Sequence, residues 1–168
     1  MTRTYVLDAS AFIYGALPAG DLATVPAVYG EVKDEKSRLR LELLEGLRVV
    51  QPNSAAAGRV AAAARESGDD RRLSRADADL LALALQEREA GKDAVVLTDD
   101  YAVQNVAGRL GVPVEPLRQR KSRYSIVWEK QCTGCKRRYA ASGEGRGDEC
   151  PVCGAPLRPA KRSIARGK

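Results

Sequence analysis

Ala94-Val95-Val96-Leu97-Thr98-Asp99-Asp100-Tyr101-Ala102-Val103-Gln104-Asn105 begins as four apolar residues and turns polar at a threonine and two acids. A short, unbroken apolar run with β-branched residues reads as a strand buried on both faces, as in a parallel sheet. The residues that follow, to Leu110, have helical character, and Gly111 is a fitting stop. The same grammar stands at the start of the chain: Thr4-Tyr5-Val6-Leu7 is apolar, Asp8 ends it, and residues 9–14 read as a helix. Two strand–acid–helix units predict an α/β domain with a mainly parallel sheet over residues 1–117.

Between these units lie the remaining elements. Residues 25–32 read as a helix with Pro26 at its start. Residues 36–45 read as another, with Leu39, Leu43 and Leu44 on one face. Residues 47–50 are a strand candidate, residues 55–66 an alanine-rich helix, and residues 68–72 a charged turn. Ser74 opens the most regular helix, where Asp77, Leu80, Leu81, Ala84 and Leu85 recur at helical spacing. Residues 112–114 suit an edge strand, where Pro113 is tolerated. Residues 118–127 form a basic linker leading into a strand, 128–157 a small cysteine module, and 158–168 a basic tail expected to be mobile.

Composition narrows the chemistry. Hydrophobic residues make up 44% and charged residues 30% of 168, which suits a packed domain. There is no histidine. Histidine-based triads and acid–base pairs are therefore excluded, and a general base must be Asp, Glu, Lys, Tyr or a metal-bound hydroxide. The longest run without a charge, residues 9–20, is 12 residues, well short of the roughly 20 a membrane helix needs. Asp8 interrupts any secretory signal, so the expected location is the cytoplasm and no membrane contact is expected. The net charge of +6 is unevenly spread: residues 1–116 carry 14 basic and 18 acidic groups, residues 117–168 carry 14 and 4. A G·C-rich genome would explain why 20 of 28 cations are Arg, but not their segregation. A basic third points to a polyanion such as RNA.

All four cysteines lie in that basic third, as Cys132-Thr133-Gly134-Cys135 and Cys150-Pro151-Val152-Cys153. Two CxxC pairs can aim four thiolates at one Zn²⁺, closing a tetrahedral shell of structural type. Disulfides do not suit a chain without a signal peptide, and the βαβ context of a redox CxxC is missing. An iron–sulfur cluster is the remaining alternative. Gly134 and Gly154 are expected to relieve the backbone where it curls toward sulfur. Lys130, Lys136, Arg137, Arg138 and Arg146 alternate here with Trp128 and Tyr139. Cations for phosphates and rings for bases suit RNA; a solvated face is the plainer alternative. Arg118, Arg120, Lys121 and Arg123 of the linker are further phosphate candidates.

The acids form the second constellation. Ligands of open α/β sheets sit beyond the carboxyl ends of strands, so Asp8 and the pair Asp99-Asp100 are expected on one edge. Asp77 lies on the apolar face of its helix, and Glu31 sits among apolar neighbours in Val28-Tyr29-Gly30-Glu31-Val32. Inward acids need a partner, and a divalent cation can supply it. Each acid also has a plainer reading. Ser74-Arg75-Ala76-Asp77 is a capping box, Asp99 is a candidate N-cap, and Glu31 can be solvated.

Leu7-Asp8-Ala9-Ser10, Val28-Tyr29-Gly30-Glu31-Val32, Leu73-Ser74-Arg75-Ala76-Asp77 and Leu97-Thr98-Asp99-Asp100 resemble, in order, the four acidic motifs of PIN-domain nucleases. Followed by a four-cysteine ribbon, the chain is similar to the archaeal Nob-type endonucleases that mature the 3′ end of small-subunit ribosomal RNA. The resemblance implies a PIN fold, a central parallel sheet between helices, with a zinc ribbon after it. It implies Asp8, Glu31, Asp77 and Asp100 as catalytic metal ligands for Mg²⁺ or Mn²⁺. Asp99 is the alternative to Asp100, and Ser10 and Asp79 stand behind them. It implies endoribonuclease activity on precursor ribosomal RNA within an immature small subunit, with a KH-domain assembly factor as partner. Two other readings compete: an RNA-binding assembly factor without catalysis, and a PIN-type toxin ribonuclease.

Overall fold

The computed structural model describes residues 2–14, 17–117, 124–140 and 147–165, apart from the side chains at 124–126 and 163–165. The first domain runs β1 Thr4–Leu7, α1 Ala9–Tyr14, β2 Asp21–Thr24, α2 Val28–Glu31, α3 Glu35–Leu43, β3 Arg48–Val49, α4 Ser54–Ser67, α5 Arg75–Glu89, β4 Ala94–Leu97, α6 Tyr101–Leu110 and β5 Val114–Glu115. Its five strands are all parallel, in the order β3-β2-β1-β4-β5. The chain steps outward from β1 to β3, crosses back through α4 and α5, and steps outward again from β4. Right-handed crossovers then place α1–α3 over one face and α4–α6 over the other. The strand order reverses between β1 and β4, whose ends align with Leu7 opposite Leu97. Both strands are apolar because both faces are covered: Val6, Leu7, Ala94 and Val96 are fully or almost fully buried.

Three expectations need correction in this domain. β2 is an additional strand. Its sequence Asp-Leu-Ala-Thr carries little apolar signal, and it is held by pairing with β1 and by Arg48, which grips Asp21 from the neighbouring β3 at 2.6 and 3.0 Å. The helix expected over 25–32 is only Val28–Glu31. On α3, Leu39 and Leu43 are exposed and Leu41 is the buried residue; Leu39, Leu43 and Leu44 line an open groove beside Ala11 and Phe12 of α1.

The second unit is a three-stranded antiparallel sheet: β6 Tyr124–Cys132 in the centre, β7 Arg138–Ala140 and β8 Leu157–Ala165 at its sides. The segment from Arg158 is therefore strand rather than mobile tail as far as Ala165. Its hydrogen-bonded ladder to β6, nine residue pairs from Cys132–Leu157 to Tyr124–Ala165, supplies the order that its basic, weakly apolar sequence does not advertise. β6 packs against α4 and α6 of the first domain. No helix among the described residues is long and apolar enough to cross a membrane.

Candidate active site and four-cysteine centre

The sequence places acids after β1 and β4, and the strand order turns that into a site. Asp8 follows β1, Asp99 and Asp100 follow β4, and these two strands are neighbours at the point where the sheet reverses direction, the usual crevice of an open α/β fold. Asp8 is 9% exposed, and both its oxygens are oriented. The Ser10 amide donates to Oδ1 at 3.0 Å, and the Ser10 and Thr98 hydroxyls donate to Oδ2 at 3.1 and 2.5 Å. Asp100 is the N-cap of α6, with Oδ1 accepting from the Ala102 and Val103 amides at 2.6 and 3.4 Å. The cap thus belongs to Asp100 and not to Asp99.

Asp77 joins them from α5, also 9% exposed. The capping box is present: the Asp77 amide donates to Ser74 Oγ, and Asp77 Oδ2 accepts from the Ser74 amide, both at 3.1 Å. Ser74 Oγ in turn donates to Glu31 Oε1 at 2.8 Å. One hydroxyl therefore caps a helix and ties down an otherwise exposed glutamate. Glu31 Oε2, Asp77 Oδ1 and Asp100 Oδ2 make no hydrogen bond among the described residues. None of Asp8, Glu31, Asp77 and Asp100 has an ion-pair partner among those residues either. Oxygen donors held near one another without a cationic side chain fit a hard divalent cation. The carboxylates do not close as tightly as the cysteines described below. Asp79, two residues after Asp77, is turned about 200° away on the helix and does not join the group.

Burial first, and then the charges of Asp8 and Asp100, push the Asp77 carboxyl up to about 6 against the opposing hydrogen bonds from Ser74. A carboxyl whose folded value is raised binds its proton more tightly folded than unfolded. Its contribution to stability is full below about pH 4 and is lost as pH rises through about 6. Without divalent cations, the protein should therefore gain on the order of 2 kcal/mol between pH 7 and pH 4 from this group. Thermal melts of the parent and of Asp77→Asn across that range check it: the difference between the two curves should shrink as pH falls.

Thr98, fully buried at the end of β4, is the orienting residue that sequence reasoning passed over. Its hydroxyl donates to Asp8 and accepts from the Asp100 amide at 3.1 Å. One side chain thus couples the acids of two neighbouring strands. Its signal in the sequence is a hydroxyl residue closing an apolar strand just before an acid pair. Thr98→Val keeps the shape but removes the buried donor to Asp8 and the acceptor of the Asp100 amide, at a cost of about 1–3 kcal/mol. An unchanged denaturation midpoint would show that the hydroxyl carries no such load.

The cysteines form a separate centre. The ligand atoms of Cys132, Cys135, Cys150 and Cys153 all lie within 4.8 Å of one another, with Cys132–Cys153 at 3.4 Å and Cys135–Cys150 at 3.7 Å. Sulfurs converging this way without a bond fit a four-coordinate soft-metal centre. The two knuckles share a backbone device: the residue after each second cysteine is left-handed, Lys136 at φ 63° and Gly154 at φ 72°. Gly134 has a different role from the one expected. A Cβ there would stand 3.0 Å from the Ala155 Cβ and 3.4 Å from Cys153 Sγ, so the first knuckle approaches the second. The Gly134 and Cys135 amides donate to Cys132 Sγ at 3.3 and 3.4 Å. The Tyr139 hydroxyl lies 3.0 Å from Cys150 Sγ and is the main cause of that thiol's fall to about 6. This favours the thiolate a metal needs.

The cations expected to meet RNA separate into groups. Lys136 donates to the Thr133 carbonyl at 2.8 Å, Arg138 pairs with Glu129 at 3.6 Å, and Arg137 is exposed. Arg118, Arg120, Lys121, Arg123 and Arg146 lie outside the described residues. The aromatics are engaged by the protein itself: Tyr139 on Cys150, and Trp128 under the Arg72 guanidinium.

Residues 5–86 match the family described as PIN domain of ribonuclease. Endoribonuclease Nob1 of Methanothermobacter thermautotrophicus is 41% identical over 157 residues, covering 90% of each chain. Endoribonuclease Nob1 of Archaeoglobus fulgidus is 36% identical over 153 residues, covering 91% of this chain and 88% of that one. A protein named Ribonuclease VapC3, from Aeropyrum pernix, is 48% identical over 121 residues, 68% of this chain and 86% of its own. A parallel sheet with acids at its reversal point, a four-cysteine module and similarity to four such archaeal enzymes over nine-tenths or more of this chain agree: the chain belongs to the PIN-domain endoribonucleases of the Nob1 type.

Proposed function

We propose that the chain cuts precursor small-subunit ribosomal RNA near its 3′ end. The observation that carries this reading is the set of acids at the β1–β4 reversal, lacking cationic partners among the described residues, in a chain similar to enzymes named Nob1 over nine-tenths of its length. Asp8, Glu31, Asp77 and Asp100 would hold Mg²⁺ or Mn²⁺, with Asp99 the alternative beside Asp100. A divalent cation bound there supplies an activated water and offsets charge on the phosphate. Ser10 and Thr98 fix the Asp8 carboxylate, Ser74 fixes Glu31, and the α6 amides fix Asp100, so the oxygens need little reorganisation when RNA arrives. Attack by water rather than by the ribose 2′-hydroxyl leaves a 5′-phosphate and a 3′-hydroxyl. The four cysteines would hold one structural Zn²⁺. Its basic surroundings and the linker would bind phosphates and offset the repulsion between the acids and RNA. The place of action would be the immature small subunit in the cytoplasm, beside a KH-domain assembly factor.

The test is incubation of the chain with RNA spanning a small-subunit 3′ end, with Mn²⁺, with Mg²⁺ or with neither. A single cut that needs the cation, with the end groups above, is expected. Binding without cleavage under every condition would leave an RNA-binding assembly factor instead. A second reading, a toxin ribonuclease, is favoured by the relatives named VapC; one, from Thermoplasma acidophilum, aligns over 89% of this chain, so the cysteine module alone does not dispose of it. Growth arrest on expression in a foreign host, with cleavage of transfer or messenger RNA, would establish that reading.

A further inference from the structure

Where the cysteine module meets the first domain, a cleft of about 420 Å³ opens between the loop joining α4 to α5 and the β6–β8 face. Arg65, Arg71, Arg72, Trp128 and Lys130 line it, with Asp70 as an acid on its rim. Six of the eleven arginines of the first domain have carboxylate partners among the described residues: Arg3, Arg38, Arg48, Arg59, Arg88 and Arg109. Arg65, Arg71 and Arg72 are exposed and, among the described residues, have none. Glu129, the other acid of the cleft, is taken up by Arg138 and Arg162 at 3.6 and 3.2 Å.

The cleft is also built rather than loose. The Arg72 guanidinium lies 3.4 Å from the centroid of the Trp128 ring. A guanidinium stacked by its face keeps its N–H edges in plane, where they match phosphate oxygens in a fork. The loop beneath is fixed by Asp69, which is 1% exposed. Its carboxylate accepts from Asn105 Nδ2 at 2.6 Å, and its carbonyl accepts from the Arg72 and Leu73 amides at 2.8 and 2.9 Å. The same loop runs directly into Ser74 and Asp77. Arg71 is three residues from Ser74, within about 11 Å along the chain.

We propose that this junction cleft is a subsite for the phosphate backbone of single-stranded RNA. Arg71 and Arg72 grip a phosphate a few nucleotides from the one that is cut, and Trp128 positions Arg72. The proposal rests on the reading of the chain as a ribonuclease, and it adds that the strand crosses the joint between the two domains. Phosphate contacts fix register without reading sequence, so the cleft would bind any unstructured strand.

Trp128 is the sole tryptophan of the chain, so its emission reports on the cleft directly. The experiment titrates the full chain with a 12-nucleotide oligouridylate, without added Mg²⁺ or Mn²⁺, following Trp128 emission and RNA anisotropy together. Emission should change saturably with the same midpoint as anisotropy. Arg71→Ala/Arg72→Ala should weaken binding about tenfold or more in moderate salt. It should also lower the slope of log affinity against log salt by about 1.4, for two lost single-strand contacts. Arg71→Gln, which leaves the ring stack untouched, should lower the slope by about half as much. Arg72→Lys, which keeps charge but not the planar fork, should fall between parent and double variant. Unchanged affinity and slope in both Arg71→Ala/Arg72→Ala and Arg71→Gln, or emission blind to saturating RNA, would overturn the proposal. Equal competition by polyglutamate would reassign the cleft to an acidic protein. Loss of cleavage of the ribosomal RNA mimic by the parent chain is measured separately and bears on the ribonuclease reading alone.

Discussion

Asp77→Asn should lower RNA cleavage by on the order of 10²-fold or more, the scale on which removing one preorganised charged or polar group from a reacting centre acts. The substitution keeps the shape of the side chain, and an amide oxygen can still accept from the Ser74 amide, so the capping box survives. What it removes is a negative charge beside Asp8 and Asp100, whose repulsion adds to burial in raising the Asp77 carboxyl. Stability without divalent cations should consequently hold level or rise by up to about 2 kcal/mol near pH 7, as expected where a site trades stability for activity. RNA affinity should stay near that of the parent, because the proposed phosphate contacts lie on the basic surfaces. If Asp77 served only its helix, the pattern would invert: full cleavage, with a loss of about 1 kcal/mol or less. Cleavage and melting temperature measured on one preparation, with and without Mn²⁺, separate the two. Full activity in Asp77→Asn would remove this residue from the active site.

Cys150→Ser should lower bound zinc from one per chain to none and unfold the second unit while the first stays folded. Among the described residues, the buried apolar cluster of that unit is Cys132, Cys150 and Leu157, with Tyr139 and Ala155 packed on it. So small a core cannot hold a three-stranded sheet without the metal, whose binding is worth roughly 10 kcal/mol or more in comparable sites. The first domain has its own core, built on Val6, Leu7, Phe12, Leu80, Leu81 and Val96, and does not need the ribbon. Metal analysis gives the stoichiometry. Trp128 emission gives the structural result, since losing the sheet would expose the ring that Arg72 now covers. Stoichiometric zinc in the variant would refute the four-thiolate centre.

What the sequence alone determined was whatever short-range patterning encodes. Apolar runs closed by acids marked β1 and β4, because a strand buried on both faces must be apolar throughout. Two CxxC pairs marked the four-cysteine centre, because a knuckle is a local structure. Strand β2 and the ladder of β8 were not legible. An acid in a strand is acceptable only once Arg48 arrives from β3, and a basic segment is ordered only once β6 pairs with it. The same holds for the acids. Their types and order were in the sequence, but Asp77 read equally well as a cap or as a site residue. Only the fold showed that the cap is made and that it leaves the carboxyl beside Asp8 and Asp100, one oxygen serving Ser74 and its charge felt by those two acids. The Thr98 hydroxyl joining Asp8 to the Asp100 amide, the Ser74 bond to Glu31, and Arg72 on Trp128 all span elements distant in sequence. Such contacts are set by strand order and domain packing, which depend on burying surface shared among many residues and leave no mark at any one of them.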